Sequence, residues 1–148
     1  MDKERILSKF DEVDSYLNEL EEIKPSEYEE YSNLIEKKRA CERLLQIAIE
    51  GVIDVCNLLV SGLSLGLPSD EEDVFKKLES KKVISKNVKN ILSGMKGMRN
   101  ILVHKYGTVN DELVFEAVSE KLGDFDKFKN EILSIFKTKN SQVKKLIN

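Results

Sequence analysis

From Leu44 to Leu63 the chain is apolar on most of a helix's circumference. Leu44, Leu45, Ile47, Ala48, Ile49, Val52, Ile53, Val55, Leu58 and Leu59 leave little polar surface there. A helix of that kind has to be surrounded by partners. A bilayer span needs roughly 20 apolar residues, and the most apolar stretch, Ile47 to Leu67, carries Glu50 and Asp54 near its centre. It therefore reads as the central helix of a buried core, with no membrane partner. The opening residues, MDKERILSKF, are charged and periodic and lack the apolar core of a signal peptide, so the expected compartment is the cytoplasm.

The remaining pattern is helical throughout. Ile6, Phe10, Val13, Leu17 and Leu20 repeat at steps of four and three, predicting an amphipathic helix over 2–23 that Pro25 stops. Ser26 with Glu29 forms a capping-box pattern for a long second helix over 27–64. Gly62, Gly66 and Pro68 break it. Ser69 with Glu72 is a second capping box, opening a short helix with Val74, Phe75 and Leu78. Ser85 or Asn87 caps the next helix, which carries Val88, Ile91, Leu92, Met95, Met98 and Leu102 and ends before Gly107. Gly94 and Gly97 inside it each cost about 1 kcal/mol relative to Ala, which close approach by another backbone would explain. Asn110 caps a last long helix bearing Val114, Ala117, Val118, Leu122, Phe125, Phe128, Ile132 and Phe136. The expected architecture is all-α: an antiparallel up-and-down bundle of four long helices plus one short one. A single domain is expected over 1–137, followed by a frayed tail over 138–148. The heptad-like seams of the first and last helices leave room for intermolecular packing.

Charge is uneven. The net charge of −3 conceals an acidic stretch, 1–75, with 8 Lys/Arg against 19 Asp/Glu. In 76–106, Lys76, Lys77, Lys81, Lys82, Lys86, Lys89, Lys96, Arg99 and Lys105 stand against Glu79 alone. Such a run attracts polyanions, or it neutralises the acidic helices beside it. Cys41 and Cys56 would lie ~20 Å apart on one helix, too far to bridge, and read as buried structural thiols. With one histidine, His104, a Cys–His zinc site lacks ligands, and no metal or cofactor is expected.

Chemistry concentrates in Arg99-Asn100-Ile101-Leu102-Val103-His104-Lys105-Tyr106. Asn100 and His104 project close together on a helix, with Arg99 about 140° from His104. Unwinding before Gly107 would bring His104 and Tyr106 towards Arg99. The set suits phosphate: Arg grips phosphoryl oxygens, His moves protons near neutral pH, and Tyr hydrogen-bonds or stacks on a base. A C-capping His, an Arg paired with Glu50 or Asp54, and a Tyr at the core edge would make the same spacing.

The segment matches the R-x4-H-x-Y motif of the HEPN superfamily, and RNILVHKY resembles the HepT-like ribonuclease toxins. The likeness covers about 34 to 136: LLQIAIEGVIDVCNLL resembles the family's central helix, DVFKKL its short helix, and GMKGMRNILVHKYGTVNDELVFEAV its motif helix and following turn. The resemblance implies metal-independent RNA cleavage with Arg99 and His104 in the active site and Asn100 supporting. Asp54 is the candidate acidic residue of the central helix, with Glu50 in reserve. It also implies a cognate minimal nucleotidyltransferase (MNT) antitoxin that transfers AMP onto Tyr106. The added phosphodiester charge would occupy the anion site beside Arg99. Lys89, Lys96 and Lys105 are the candidate RNA-binding lysines.

Cleavage through the ribose 2′-OH needs a base and an acid, and one chain offers one imidazole. A homodimer pairing the motif helices would supply two. Three readings stand at this point: a toxin-type endoribonuclease, a catalytically silent RNA- or nucleotide-binding module of a nucleotidyltransferase complex, and a helical adaptor protein.

Overall fold

The computed structural model describes residues 1–104 and 109–137. Among these the fold is all-helical, with α1 (Lys3–Ile23), α2 (Tyr28–Asn33), α3 (Ile35–Gly62), α4 (Glu71–Ser80), α5 (Lys86–Val103), α6 (Asp111–Glu120) and α7 (Gly123–Lys137). The expected frayed tail, 138–148, lies outside the described residues, as do Lys105, Tyr106 and Gly107.

The seam of α1 buries Ile6, Phe10, Val13 and Leu20 along α3. Met1 lies against Gly62, Lys9 pairs with Asp54, and Val13 lies against Gly51, so the two helices run antiparallel. A Cβ on Gly51 would come within 2.6 Å of Val13 Cγ2; this glycine lets α1 close on α3. The close approach anticipated at Gly94 and Gly97 has no counterpart among the described residues, since a Cβ at either meets none of them within 4 Å. The α1 and α7 seams, read as open to intermolecular packing, are both buried inside the chain, with Phe10 and Phe128 rings 5.7 Å apart.

As anticipated, α3 is the central helix. By length and composition alone it could cross a membrane, but 56% of its most apolar window is buried in the structure. Two continuous helices expected from the pattern are each broken once. The first breaks at Leu34: Tyr28 and Tyr31 pack on Phe115 of α6, at 5.6 and 5.4 Å between rings, which turns α2 off the α3 axis. The Ser26 capping box does not form; Glu27 occupies the cap position without a side-chain hydrogen bond. The second breaks between α6 and α7, whose halves serve different neighbours. Lys38 of α3 holds Asp111 at 3.1 Å, whereas Lys129 of α7 holds Asp14 of α1 at 2.5 Å. Gly123, a weak helix former, opens α7.

The box at α4 forms one residue later than expected. Asp73 N–H donates to Asp70 Oδ1 at 2.7 Å, and Ser69 N–H donates to Asp73 Oδ2 at 2.9 Å. Ser85 caps α5 through Val88 N–H at 3.1 Å, and Asn110 caps α6 through Leu113 N–H at 3.2 Å, both as anticipated. Glu131 of α7 accepts from Ser85 N–H and Oγ at 2.8 and 2.7 Å, fixing the start of the motif helix.

Candidate active site

Arg99 lies in the last turns of α5, half-buried, its side chain 17% exposed. Its Nε donates to Asn100 Oδ1 at 3.0 Å, and its Nη2 donates to Glu71 Oε1 at the start of α4. A guanidinium has five N–H donors, and neither bond uses Nη1. His104 is the C-cap of α5: its backbone N–H donates to Asn100 O at 2.9 Å and its side chain is exposed. Asn100 thus meets Arg99 through its side chain and His104 through its backbone. The structure brings these three residues together at one helix end; Lys105 and Tyr106 fall outside the described residues.

The acidic candidates on α3 have other partners. Asp54 is exposed and 3.5 Å from Lys9 of α1, and Glu50 accepts from Gln46 Nε2 at 3.0 Å. The carboxylate that reaches Arg99 is Glu71. Beside it, Glu72 gathers Lys96 Nζ at 2.8 Å, Lys89 Nζ at 2.9 Å and Ser93 Oγ at 2.7 Å. Lys96 above all, then Lys89 and Ser93, hold the Glu72 carboxyl down at about 2 from its usual 4.5. Two of the three lysines anticipated for RNA are therefore engaged by the protein's own acid. The sequence carries a signal for this arrangement: Lys89, Ser93, Lys96 and Asn100 form one stripe of α5, and three acids crowd the first turn of the helix before it.

The cysteines take no part. Both are free thiols; burial raises Cys41 to about 11 and also pushes Cys56 up. Among the described residues no three His, Cys, Asp or Glu side chains are grouped as metal ligands. An open cavity of about 320 Å³ lies along α5, lined by Leu45, Ile49, Ile91, Gly94, Met95 and Met98 among others, and does not include Arg99 or His104.

Known proteins share this arrangement of helices. An mRNA nuclease HepT of Shewanella oneidensis is 34% identical over 84 residues, which span 57% of this chain and 63% of that nuclease. A tRNA nuclease HepT of Aphanizomenon flos-aquae is 25% identical over 122 residues, 82% of this chain and 83% of the relative. A solved structure of the tri-AMPylated Shewanella oneidensis HEPN toxin in complex with its MNT antitoxin superposes with a TM-score of 0.82 at 25% identity, covering 90% of this chain and 99% of that one. The Bacillus subtilis cytosolic protein YutE, at 17% identity and a TM-score of 0.78 over 95% of this chain and 94% of its own, shows the same fold. The family model for ribonuclease HepT-like proteins matches residues 13–132, which include the central helix, the acidic turn of α4 and the Arg99–His104 helix end, and the chain belongs to that family.

Proposed function

We propose that the protein is a cytoplasmic, metal-independent endoribonuclease, the toxin of a toxin–antitoxin pair. The observation that carries this reading is the presence of Arg99 and His104 in the last turns of α5, each bonded to Asn100, in a chain of the HepT-like family. Among the described residues neither Nη1 proton of Arg99 has a partner, which leaves both for a phosphodiester oxygen. His104 removes the proton of the ribose 2′-OH; the 2′-oxygen attacks phosphorus; the 5′-oxygen leaves and takes a proton from a second imidazole. The products are a 2′,3′-cyclic phosphate and a 5′-hydroxyl.

The second imidazole comes from the partner subunit's His104 in a homodimer built on the motif helix. Ile91, Gly94, Met98 and Ile101 form one stripe of α5, Ile101 is 40% exposed, and none of the described residues covers Gly94 or Gly97. Small residues at those positions allow a second α5 to approach closely. Inactivation follows from a nucleotidyltransferase antitoxin of the MNT class, which adds AMP to Tyr106 and puts a competing phosphodiester next to Arg99. The AMPylated state of the Shewanella oneidensis toxin supports this part of the reading.

The test is incubation with labelled mRNA and with tRNA in EDTA, because the two relatives are named for different RNAs. Cleavage that Arg99→Ala and His104→Ala each abolish supports the proposal. Binding without cleavage by wild type would make the protein a silent RNA-binding module, and no RNA affinity would leave only an adaptor. Mixed dimers of wild type and His104→Ala with full activity would refute the two-histidine mechanism. Intact mass after co-expression with a nucleotidyltransferase of the MNT class reads AMP on Tyr106.

A further inference from the structure

We infer that Glu71 is a positioning residue for Arg99, a carboxylate that aligns the guanidinium so that its free edge meets the scissile phosphate. The inference rests on the reading above, that RNA phosphate binds at Arg99.

An Arg side chain carries a large rotamer entropy, so a guanidinium that must meet a developing charge gains from being fixed beforehand. Here it is fixed from two elements. Asn100, on the same helix, takes Nε–H, and Glu71, on a different helix, takes Nη2. With those two donors engaged, both Nη1 protons remain without a partner among the described residues, and they form the free edge of the guanidinium.

The mount of Glu71 is rigid for reasons unrelated to Arg99. Asp70 and Asp73 close the first turn of α4. Val74, Phe75 and Leu78 anchor α4 in the core. Glu72, the adjacent residue, ties the same turn to Lys89, Ser93 and Lys96 of α5. The first turn of α4 is thus tied across about two turns of α5, from Lys89 to Lys96, and Glu71 stands in that turn next to Arg99.

A carboxylate beside a phosphate site also repels the ligand. The two effects act on different kinetic constants, and this separates positioning from simple packing. Removing the acid should tighten RNA binding, because one repelling charge is gone, yet slow turnover, because the free edge is no longer held.

The experiment compares Glu71→Ala, Glu71→Gln and Arg99→Ala in the full chain, with a defined RNA oligonucleotide and thermal melts as a folding control. Glu71→Ala is expected to lower kcat by about tenfold or more, as misalignment does. Its KM should fall about fivefold, as loss of one nearby like charge allows. Glu71→Gln keeps an oxygen acceptor without the charge, so its KM falls alike while kcat stays within about threefold of wild type. Wild-type kcat in Glu71→Ala overturns the inference, as does a Gln variant as slow as the Ala variant. If Glu71→Ala does not fold, Glu71→Asp replaces it: one methylene shorter, it should lower kcat about tenfold, and unchanged turnover overturns the inference. If wild type does not cleave, or Arg99→Ala cleaves as wild type does, the endoribonuclease reading itself has failed. Loss of cleavage in Arg99→Ala with normal Glu71 variants refutes only the role of Glu71.

Discussion

Glu72→Gln isolates the ion-pair seam between α4 and α5. The Glu72 carboxyl sits at about 2 instead of 4.5, and that difference corresponds to about 3 kcal/mol if nothing screens it. The side chain is 26% exposed, so solvent screening reduces the share that reaches folding stability to about 1–2 kcal/mol. Gln keeps an acceptor for Ser93 but leaves Lys89 and Lys96 facing each other without a counter-charge. The loss at pH 7 should therefore be about 1–2 kcal/mol, or about 4 °C in Tm for a chain of this size. Because folding depresses the pKa of this acid, its contribution is complete above pH 4.5 and disappears as pH falls through about 2. The gap between wild type and Glu72→Gln should thus narrow continuously below pH 4.5. Urea unfolding followed by circular dichroism at pH 7, 5, 4 and 3 measures it. A gap that stays constant over that range, or is absent at pH 7, refutes the assignment of Glu72 as a charged tie.

Gly51→Ala should lower stability by about 1–3 kcal/mol, since its Cβ would meet the stiff Val13 side chain at 2.6 Å, whereas Gly94→Ala, with open space around it, should raise it by about 1 kcal/mol; thermal melts at low protein concentration read both. Neither Cys41 nor Cys56 should react with a disulfide reagent at pH 8 until denaturant is added, because both thiols are buried and held protonated. Lys89→Ala should cost stability while changing the slope of log affinity for single-stranded RNA against log salt by less than about 0.7, the amount one phosphate contact contributes.

What the sequence revealed and what it hid divide along the line between local and tertiary causes. The seam Ile6–Phe10–Val13–Leu20 and the caps Ser85 and Asn110 depend on neighbours within one helical turn, and each is found where the pattern puts it. The breaks at Leu34 and between α6 and α7 were invisible because the apolar pattern runs through both. The first is set by Tyr28 and Tyr31 meeting Phe115, a residue more than 80 positions away, and the second by α6 and α7 pairing with different helices, through Lys38–Asp111 and Lys129–Asp14. The glycines show the same division: Gly94 and Gly97 attracted attention for lying in a motif helix, yet the tight contact belongs to Gly51, which only the α1–α3 register reveals. At the site, Arg99, Asn100 and His104 are legible because they are adjacent on one helix. Glu71 is not, because its approach to Arg99 depends on how α4 crosses α5.

That crossing also decides what the basic run can do. Among the described residues, apart from the exposed Lys76 of α4, its charge divides between side chains tied to acids of α4 and lysines at the remote end of the helix pair. Lys77 lies 3.6 Å from Asp73, Lys89 and Lys96 hold Glu72, and Arg99 holds Glu71. Lys81, Lys82 and Lys86 are exposed and make no ion pair among the described residues, but they flank the turn joining α4 to α5. Along α5, Lys86 is about 20 Å from Arg99, and along α4, Lys81 is about 15 Å from Glu71. Both separations exceed the ~8 Å screening length at physiological ionic strength, so these lysines add little to the potential at the motif. Under the proposed function, a phosphodiester at Arg99 would therefore be held mainly by groups of the motif itself and not by the field of the whole basic segment. The free edge of one guanidinium is a weak anion site, and in the proposed homodimer a second Arg99 from a symmetry-related α5 would double the charge at the cleft. The electrostatics thus favour the same unit as the proton count does, a dimer of motif helices.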